Sequence, residues 1–372
     1  MPLKLAAGDL MVWTESRLVS RLKTSYPLIQ APMAVIASPE LVAAVSTAGG
    51  LGSLGGGMSP PETLREQIRS VRRLTDAPFA VNLFAPFDPP DPAPGAVERM
   101  AQQLAPWRER LGLGEASAPT GARPSFEDQV TVLVEERPAV FSFTFGLPPA
   151  GALADLREAG ATIVGTATTV AEAVMLEQAG CDAVVAQGSE AGGHRGTFAT
   201  SFSSGLIGTV ALVPQVVDRV SCPVVAAGGI MDGRGIAAAL ALGADGVQLG
   251  TAFLACDESA APPPYVTSLA EADESATTVT AAFTGRPARG MRTALFEEIE
   301  SSGLEIPPYP LQQEMTMQLM RSGIERGELD VVIRLAGQGA PMVRRLPAAR
   351  LVAELASETE ASLLRLGGRS SA

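Results

Sequence analysis

The amino-acid sequence predicts an α/β fold, a (β/α)8 TIM barrel with an additional, mostly helical subdomain near the barrel mouth. Eight short apolar runs recur along the chain, and each is followed by glycine or a polar turn and then by a helical pattern. This alternation is typical of βα units, and eight is the number of strands in such a barrel. Glycine-rich loops follow the later runs, where active sites of barrels are built.

The predicted strands follow one another in a regular order. They are Leu28–Gln30, Leu51–Leu54, Phe79–Leu83, Ala139–Phe143, Ala161–Val164, Ala183–Gln187, Val224–Ala227 and Gly246–Leu249. Ser38 and Ser59 each precede proline and glutamate, so we expect each serine to cap a helix. Gly160, Gly180 and Gly243 end alanine-rich stretches just before a strand, as left-handed helix stops do.

The predicted barrel spans residues 15–256 and is interrupted once. Residues 88–124 are dense in proline and glycine around a helical pattern at Val97–Leu111. A stretch of this length and composition predicts an excursion from the third βα loop.

The chain continues well beyond the eighth predicted strand. Residues 257–335 begin with an acidic, proline-containing linker, Asp257–Glu274, followed by a strand-like run, Thr277–Ala282, and a helical pattern, Gln312–Gly327. We expect this segment to form a substrate-side subdomain over the barrel mouth. Residues 336–366 are expected to form a helical segment that packs back on the barrel, followed by a frayed tail.

The composition excludes several classes of partner. Asp and Glu number 40 against 28 Lys and Arg, which gives a formal net charge of −12. Because attraction to polyanions requires a basic field, neither nucleic acid nor an anionic membrane is an expected partner. Met1–Thr14 lacks a cationic segment followed by a long apolar run, and the three cysteines form no CxxC pair, so we expect a cytoplasmic location.

The strongest chemical signal is the segment Gln187–Gly196, QGSEAGGHRG, directly after the sixth predicted strand. Its glycines let the main chain approach a flat ligand, while His194 presents an imidazole. His194 is the only histidine, so a neutral base near pH 7 is most simply this residue. The alternative, a histidine satisfied by hydrogen bonds, is disfavoured by its position in a loop after a strand. One histidine without a nearby cysteine offers too few ligands for a metal.

Glycine clusters also follow the seventh and eighth predicted strands, at Gly228-Gly229 and at Gly250. In barrels these two loops commonly bind a phosphate through backbone N–H groups and a helix N-terminus. Isomerases of phosphosugars use the same arrangement, so these loops alone indicate a phosphate rather than a flavin. Gly50–Gly55 matches GxGxxG but encloses a strand and opens no helix, which argues against a dinucleotide-binding turn.

Two weaker signals lie elsewhere in the chain. Met33 ends the first strand region and Asn82 lies in the third strand, where a thioether and an amide could contact a heteroaromatic ring. Arg286, Arg289 and Arg292 could draw in an anionic substrate, although a solvated turn is the favoured interpretation of that segment.

Together these motifs resemble those of class I nitronate monooxygenases, formerly called 2-nitropropane dioxygenases. The resemblance covers about Pro27–Thr251, Phe283–Thr293 and Ala336–Gly339. It implies an FMN-containing oxidoreductase that oxidises alkyl nitronates, such as propionate 3-nitronate, with O2 to a carbonyl compound and nitrite. It implies that His194 is the catalytic histidine and that no metal is bound. It is compatible with a homodimer. The residues that it assigns to FMN are Met33, Asn82, Gln187, Gly192, Gly229, Gln248, Leu249, Gly250 and Thr251.

The chain departs from the family pattern at Thr144, where many relatives have histidine. The linker Asp257–Glu274 and the chain after Leu351 also match poorly, so substrate range is the property that the resemblance determines least. A neutral imidazole at His194 could take the α-proton of a nitroalkane or donate a hydrogen bond to a nitronate oxygen. Backbone amides near Gly192 could stabilise an anionic reduced flavin.

Two alternative functions remain open from the sequence. An FMN-dependent NADH:quinone reductase or enoyl-thioester reductase of the same superfamily also has a glycine-rich loop ending in histidine. The arginine beside His194 favours the monooxygenase. A cofactor-free phosphate-binding lyase or isomerase barrel would explain the last two glycine loops, but it leaves the histidine loop and the Gln30–Met33 segment without a shared purpose.

Overall fold

Eight parallel strands form a TIM barrel in the computed structural model, which describes residues 13–367. The barrel strands are β1 (Leu28–Gln30), β2 (Gly52–Gly55), β3 (Phe79–Phe84), β4 (Val140–Thr144), β5 (Thr162–Ala167), β6 (Ala183–Gln187), β8 (Val224–Ala227) and β9 (Gly246–Leu249). All eight predicted strands are therefore present, and their ends differ from the prediction by at most three residues. A separate antiparallel sheet contains β7 (Gly193–His194), β10 (Thr277–Thr280) and β11 (Ala288–Met291).

The barrel strands pair in the order β1-β9-β8-β6-β5-β4-β3-β2. The ring closes between β1 and the residue before β2, because the Gln30 amide donates to the Leu51 carbonyl and the Leu51 amide donates to the Leu28 carbonyl, both at 2.9 Å. Every residue of β1 and β8 is buried. Strands covered on both faces read as continuous apolar runs, which explains why the sequence revealed them.

Thirteen α-helices accompany the strands in the described part of the chain. They are α1 (Arg17–Leu22), α2 (Pro39–Thr47), α3 (Pro61–Leu74), α4 (Ala96–Arg110), α5 (Phe126–Glu136), α6 (Ala150–Glu158), α7 (Val170–Gln178), α8 (Thr209–Val217), α9 (Gly233–Ala241), α10 (Pro263–Ala270), α11 (Ala294–Ser301), α12 (Leu311–Arg326) and α13 (Ala348–Leu366). None of these helices has the length and apolar character needed to cross a membrane. The N-terminal stretch before Trp13 and the expected tail after Gly367 lie outside the described residues.

The helix boundaries test the predicted caps. Ser38 caps α2, since its hydroxyl accepts a hydrogen bond from the Leu41 amide at 3.0 Å. The prediction for Ser59 was wrong, because α3 begins one residue later and Pro60 occupies the cap position. A residue before proline is driven out of the helical region, so Pro61 keeps Pro60 extended. The three predicted glycine stops all have φ near +90°: Gly160, Gly180 and Gly243.

Helix α1 closes the amino-terminal end of the barrel. Leu18 and Leu22 belong to one apolar cluster with inward-facing strand residues such as Val185 and Val225. Two ion pairs attach the helix to the starts of strands, Arg17 to Asp245 at 3.0 Å and Arg21 to Asp182 at 2.8 Å. The packed interior leaves the carboxyl-terminal end of the strands as the place for a site.

A second apolar cluster forms away from the barrel core. Helix α4 from the 88–124 excursion contributes Leu104 and Trp107, which share this cluster with Phe283, Phe296 and Leu319. The excursion therefore packs with the chain that follows β9. The expected linker Asp257–Glu274 contains a helix, because residues 263–270 form α10 with Tyr265 and Leu269 buried.

Candidate active site

The histidine loop, residues 187–196, leaves the carboxyl end of β6 and joins the second sheet. His194 pairs with Ala288 and Gly193 with Arg289 in antiparallel register between β7 and β11. The Arg195 amide continues this contact by donating to the Pro287 carbonyl at 2.9 Å. Gly193 has φ +80°, a conformation that glycine adopts without a steric penalty. The histidine is therefore presented by a strand rather than by an unsupported turn.

Side chains within the histidine loop fix its shape. Gln187 donates from Nε2 to the His194 carbonyl at 3.0 Å and accepts from the Gly196 amide at 2.9 Å. Arg195 is fully buried and donates to the carbonyls of Gly188, Gln187 and Gly205 at 2.6–3.0 Å. A guanidinium that bonds to three carbonyls rigidifies the loop without an acidic partner.

The C-terminal chain holds the other side of the same loop. Gly192 packs so closely on the main chain of residues 336–337 that a Cβ atom there would lie 2.5 Å from the Gly337 nitrogen. The Gln338 amide donates to the Glu190 carbonyl at 3.0 Å. Gly337 in turn donates from its amide to Thr251 Oγ1 at 2.9 Å. The loops after β6 and β9 are thus joined through one short segment.

The tautomer of His194 follows from its hydrogen bonds. The imidazole Nε2 lies 3.0 Å from Thr284 Oγ1, and this hydroxyl lies 2.9 Å from the Arg286 carbonyl oxygen. A carbonyl can only accept, so the threonine donates to Arg286 and accepts from histidine. We therefore assign the proton to Nε2, which leaves Nδ1 as a hydrogen-bond acceptor.

Three aromatic rings surround the imidazole nearly at right angles. The centroid distances from His194 are 6.5 Å to Phe84, 5.7 Å to Phe145 and 6.3 Å to Tyr309. Phe145 has φ +81°, which is unusual for a bulky residue and forms part of the turn after β4. Thr144, the position that departs from the family pattern, packs against the histidine loop at Gly196.

Arg286 supplies a positive charge beside His194. Its guanidinium carbon lies 3.8 Å from the centroid of Phe145, and it donates to the Thr197 carbonyl at 2.7 Å. Burial, and to a smaller extent the charge of Arg286, lowers the pKa of His194 to about 4. Burial also lowers the pKa of Arg286, to about 10, so the arginine stays charged and the histidine neutral at pH 7.

The interpretation of the arginine segment as a solvated turn was wrong for two of its three arginines. Arg289 lies in β11, is 8% exposed and donates to the Ser189 carbonyl at 2.9 Å. Arg286 is largely buried against aromatic rings, as described above. Only Arg292 is exposed. The turn composition suggested solvent, but the partner strand β7 and the rings of Phe145 and Phe87 come from distant parts of the chain.

The residues that the resemblance assigns to a cofactor lie at the carboxyl-terminal end of the barrel. Gln187, Gln248 and Leu249 belong to strand ends, and Asn82 lies in β3, where its amide donates to Ser142 Oγ at 3.0 Å. Seven of these residues are partly or fully exposed: Met33, Gln187, Gly192, Gly229, Gln248, Gly250 and Thr251. Asn82 and Leu249 are buried.

The loops after β8 and β9 present glycine main chain at the carboxyl end of the barrel, since Gly228, Gly229 and Gly250 are partly or fully exposed. Gly228 and Gly229 have φ +117° and +72°, and Asp232 caps the following helix α9. A Cβ atom at Gly250 would lie 4.0 Å from the Met33 sulfur, so Met33 borders this loop. Main-chain dipoles, an adjacent thioether and nearby amide side chains suit a planar heteroaromatic ring that carries a phosphate.

Several residues around His194 were not predicted as site residues. They are Phe84, Phe87, Phe145, Thr284 and Tyr309. Four are ordinary hydrophobic or aromatic residues that could equally occupy a core, and Tyr309 lies far along the chain from the histidine. Four of the five, all except Tyr309, lie within the segments of family resemblance, but nothing in the sequence distinguished them from their neighbours there. Among residues 13–367, no cluster of histidine, cysteine and carboxylate side chains could hold a metal ion.

The fold is a TIM barrel that carries a glycine-rich loop with its one histidine, His194, at the carboxyl ends of the strands. Residues 15–358 match the nitronate monooxygenase family. A probable nitronate monooxygenase of Staphylococcus saprophyticus is 42% identical over 91% of this chain and 95% of its own length. The chain belongs to the nitronate monooxygenase family and is an oxidoreductase.

Solved structures agree with this family and also extend beyond it. The nitroalkane oxidase from Streptomyces ansochromogenes superposes with a TM-score of 0.87 at 42% identity, over 94% of this chain and 99% of that one. FabK from Thermotoga maritima superposes with a TM-score of 0.75 at 33% identity, over 95% and 98% of the two chains. Proteins with different names, a nitroalkane oxidase and FabK, therefore share this architecture.

Proposed function

We propose that this chain binds FMN and oxidises alkyl nitronates, such as propionate 3-nitronate, with O2 to a carbonyl compound and nitrite. The observation that carries this proposal is the placement of His194 and Arg286 against the same ring, that of Phe145, at the barrel end that bears the glycine loops. A nitronate is an anion, and a partly buried guanidinium binds such a group strongly.

The proposed FMN-binding residues are those named by the resemblance. Glycine amides near Gly229 and Gly250 would hold the phosphate, because local dipoles can bind an anion despite the net charge of −12. Met33 and the amide side chain of Gln248 would contact the ring system, and the main chain at Gly192 would stabilise negative charge on it. Bound FMN supplies the capacity to accept electrons from the substrate. The full set is Met33, Asn82, Gln187, Gly192, Gly229, Gln248, Leu249, Gly250 and Thr251.

The proton chemistry falls to His194. Its Nδ1 is the unprotonated nitrogen, so it is suited to accept the α-proton of a nitroalkane. A substrate that is already a nitronate needs no such step, and Arg286 would then hold the nitro oxygens while the aromatic rings exclude water. Thr284 would keep the imidazole in the required tautomer.

We further propose a cytoplasmic location. Cys181, Cys222 and Cys256 are all free, and two of them are buried. Free cysteines suit a reducing compartment.

The decisive experiment is oxygen consumption by FMN-loaded protein with propionate 3-nitronate, compared with NADH plus a quinone. We expect rapid oxygen uptake with nitrite release for the nitronate and slow NADH consumption. His194→Asn should lower kcat/KM by about 100-fold to 10,000-fold for a neutral nitroalkane, where proton transfer is required. Flavin absorbance of the purified variant serves as the control for folding and cofactor binding.

The opposite result would identify the second candidate. Brisk NADH oxidation without nitronate turnover would contradict the proposal and assign the chain to the flavin-dependent NADH:quinone or enoyl-thioester reductases. Protein that never takes up FMN would favour a cofactor-free lyase or isomerase instead.

A further inference from the structure

Two arginines share one aromatic ring next to the histidine. The guanidinium carbon of Arg123 lies 4.9 Å from the centroid of Phe87, and that of Arg286 lies 5.0 Å from the same centroid. Arg123 also donates to the Phe87 carbonyl at 3.0 Å. We call Arg123 and Arg286 the arginine pair. Cation–π contact places both charges firmly without neutralising either of them.

The arginine pair extends positive charge outward from the reacting group. Phe87 lies 5.8 Å from Tyr309, whose ring is 6.3 Å from that of His194. Arg286 is the inner member, stacked on Phe145 near the imidazole. Arg123 comes from the end of the 88–124 excursion and is exposed.

Within residues 13–367, neither member of the arginine pair forms an ion pair with an acidic side chain. The carboxylate that influences Arg286, Glu172, is already occupied by amide donors such as Thr168, Phe198 and Ala199. Two like charges near one ring repel each other. The chain has more acidic than basic residues, yet no described acidic side chain forms an ion pair with either arginine. Such an arrangement is favourable when a ligand supplies the negative charge.

We propose that the arginine pair is a specificity site for nitronates that carry a second anionic group. Resting on the proposed function, this inference assigns the nitronate to Arg286 and a carboxylate at the far end of the same substrate to Arg123. A guanidinium matches a carboxylate through two parallel hydrogen bonds. The cofactor phosphate does not compete, because its proposed loops follow β8 and β9 whereas the rings that hold the pair follow β3 and β4.

A kinetic comparison tests the outer arginine. We expect Arg123→Gln to lower the ratio of kcat/KM for propionate 3-nitronate to kcat/KM for ethyl nitronate by about fivefold, the upper range for an exposed ion pair. The wild-type ratio should also fall as NaCl is raised, because salt screens exposed charges. Arg219→Gln removes an equally exposed arginine after α8 and is the matched control. A ratio that Arg123→Gln and Arg219→Gln leave equally unchanged would overturn the inference.

Binding of unreactive acids separates this inference from the proposed function. Titration calorimetry of the flavin-loaded protein should show succinate binding more tightly than butyrate, and Arg123→Gln should remove that preference. If the wild type oxidises neither nitronate but retains an Arg123-dependent preference for succinate, the dianion site stands and the proposed function fails. If nitronates are oxidised and succinate has no advantage, the specificity site is wrong and the proposed function survives.

Discussion

His194 illustrates how one residue acquires its properties from distant parts of the chain. Its backbone pairs with β11, and its Nε2 forms a hydrogen bond with Thr284. Burial and the charge of Arg286 lower its pKa. The sequence singled out the residue because it is the only histidine and follows a strand. Its tautomer and its lowered pKa were not predictable, because both depend on side chains about 90 residues away.

The single histidine makes its titration directly measurable. In tag-free protein labelled at histidine, the imidazole NMR signals should titrate near pH 4, below the ordinary value of about 6.5. Arg286→Gln should raise the midpoint, yet leave it below 6.5 because burial is the larger cause. Arg219→Gln is the control and should leave the midpoint unchanged. A wild-type midpoint near 6.5 would show that the imidazole is solvated.

The same shift predicts how His194 contributes to stability. Its folded pKa lies below its unfolded pKa, so the unfolded chain binds more protons between about pH 6.5 and pH 4. The free energy of unfolding should therefore fall over that interval, through this residue, as the pH is lowered. Urea unfolding of wild type and His194→Asn at several pH values isolates the effect. An identical pH dependence of the two proteins would contradict it.

At the scale of elements, the histidine loop contains the edge strand β7 and is contacted on two sides. β11 pairs with it from one side, and the main chain at residues 336–337 packs against Gly192 from the other. The strands and helix stops were predictable because burial on both faces and left-handed glycines leave local signatures. The pairing of β7 with β11 was not, since two residues are too few to show a strand pattern and their partner lies over 90 positions away.

Gly192→Ala tests that close packing. A Cβ atom would lie 2.5 Å from the Gly337 nitrogen and 2.6 Å from the Ala336 carbonyl carbon, so main chain must move. We expect a loss of about 1–3 kcal/mol in the free energy of unfolding and a lower kcat/KM for nitronate. Gly151→Ala, in the first turn of α6, meets nothing within 4 Å and should not lower the free energy of unfolding. Equal effects of both substitutions would show that the loop does not need the close approach.

At the scale of the whole molecule, the barrel carries two further packed parts. Helix α4 from the excursion joins α11 and α12 in a second apolar cluster, whereas α13 returns to the barrel core through Leu351, Val352 and Leu355. Composition and chain length predicted that residues 88–124 and the chain after β9 lie outside a minimal barrel. It could not show that residues 88–124 and the chain after β9 share a cluster, because packing between distant segments has no local signature.

Leu355→Ala tests whether α13 is part of the barrel's folding unit. Leu355 is fully buried, so the substitution should cost about 2–5 kcal/mol in the free energy of unfolding. Leu366→Ala, in the same helix at 68% exposure, should change it by less than about 0.5 kcal/mol. Urea unfolding followed by circular dichroism gives both values. A Leu355→Ala protein as stable as wild type would mean that α13 packs on the barrel without stabilising it.

The pairing of His194 with Ala288 also limits how this protein can be redesigned. A chimera that imports residues 257–335 from a relative to change substrate range would replace the strand that aligns the histidine. A one-residue slip in that pairing would turn the imidazole to the opposite face of the sheet. Successful exchanges should therefore transplant residues 192–196 together with the hairpin β10–β11, as a single cassette.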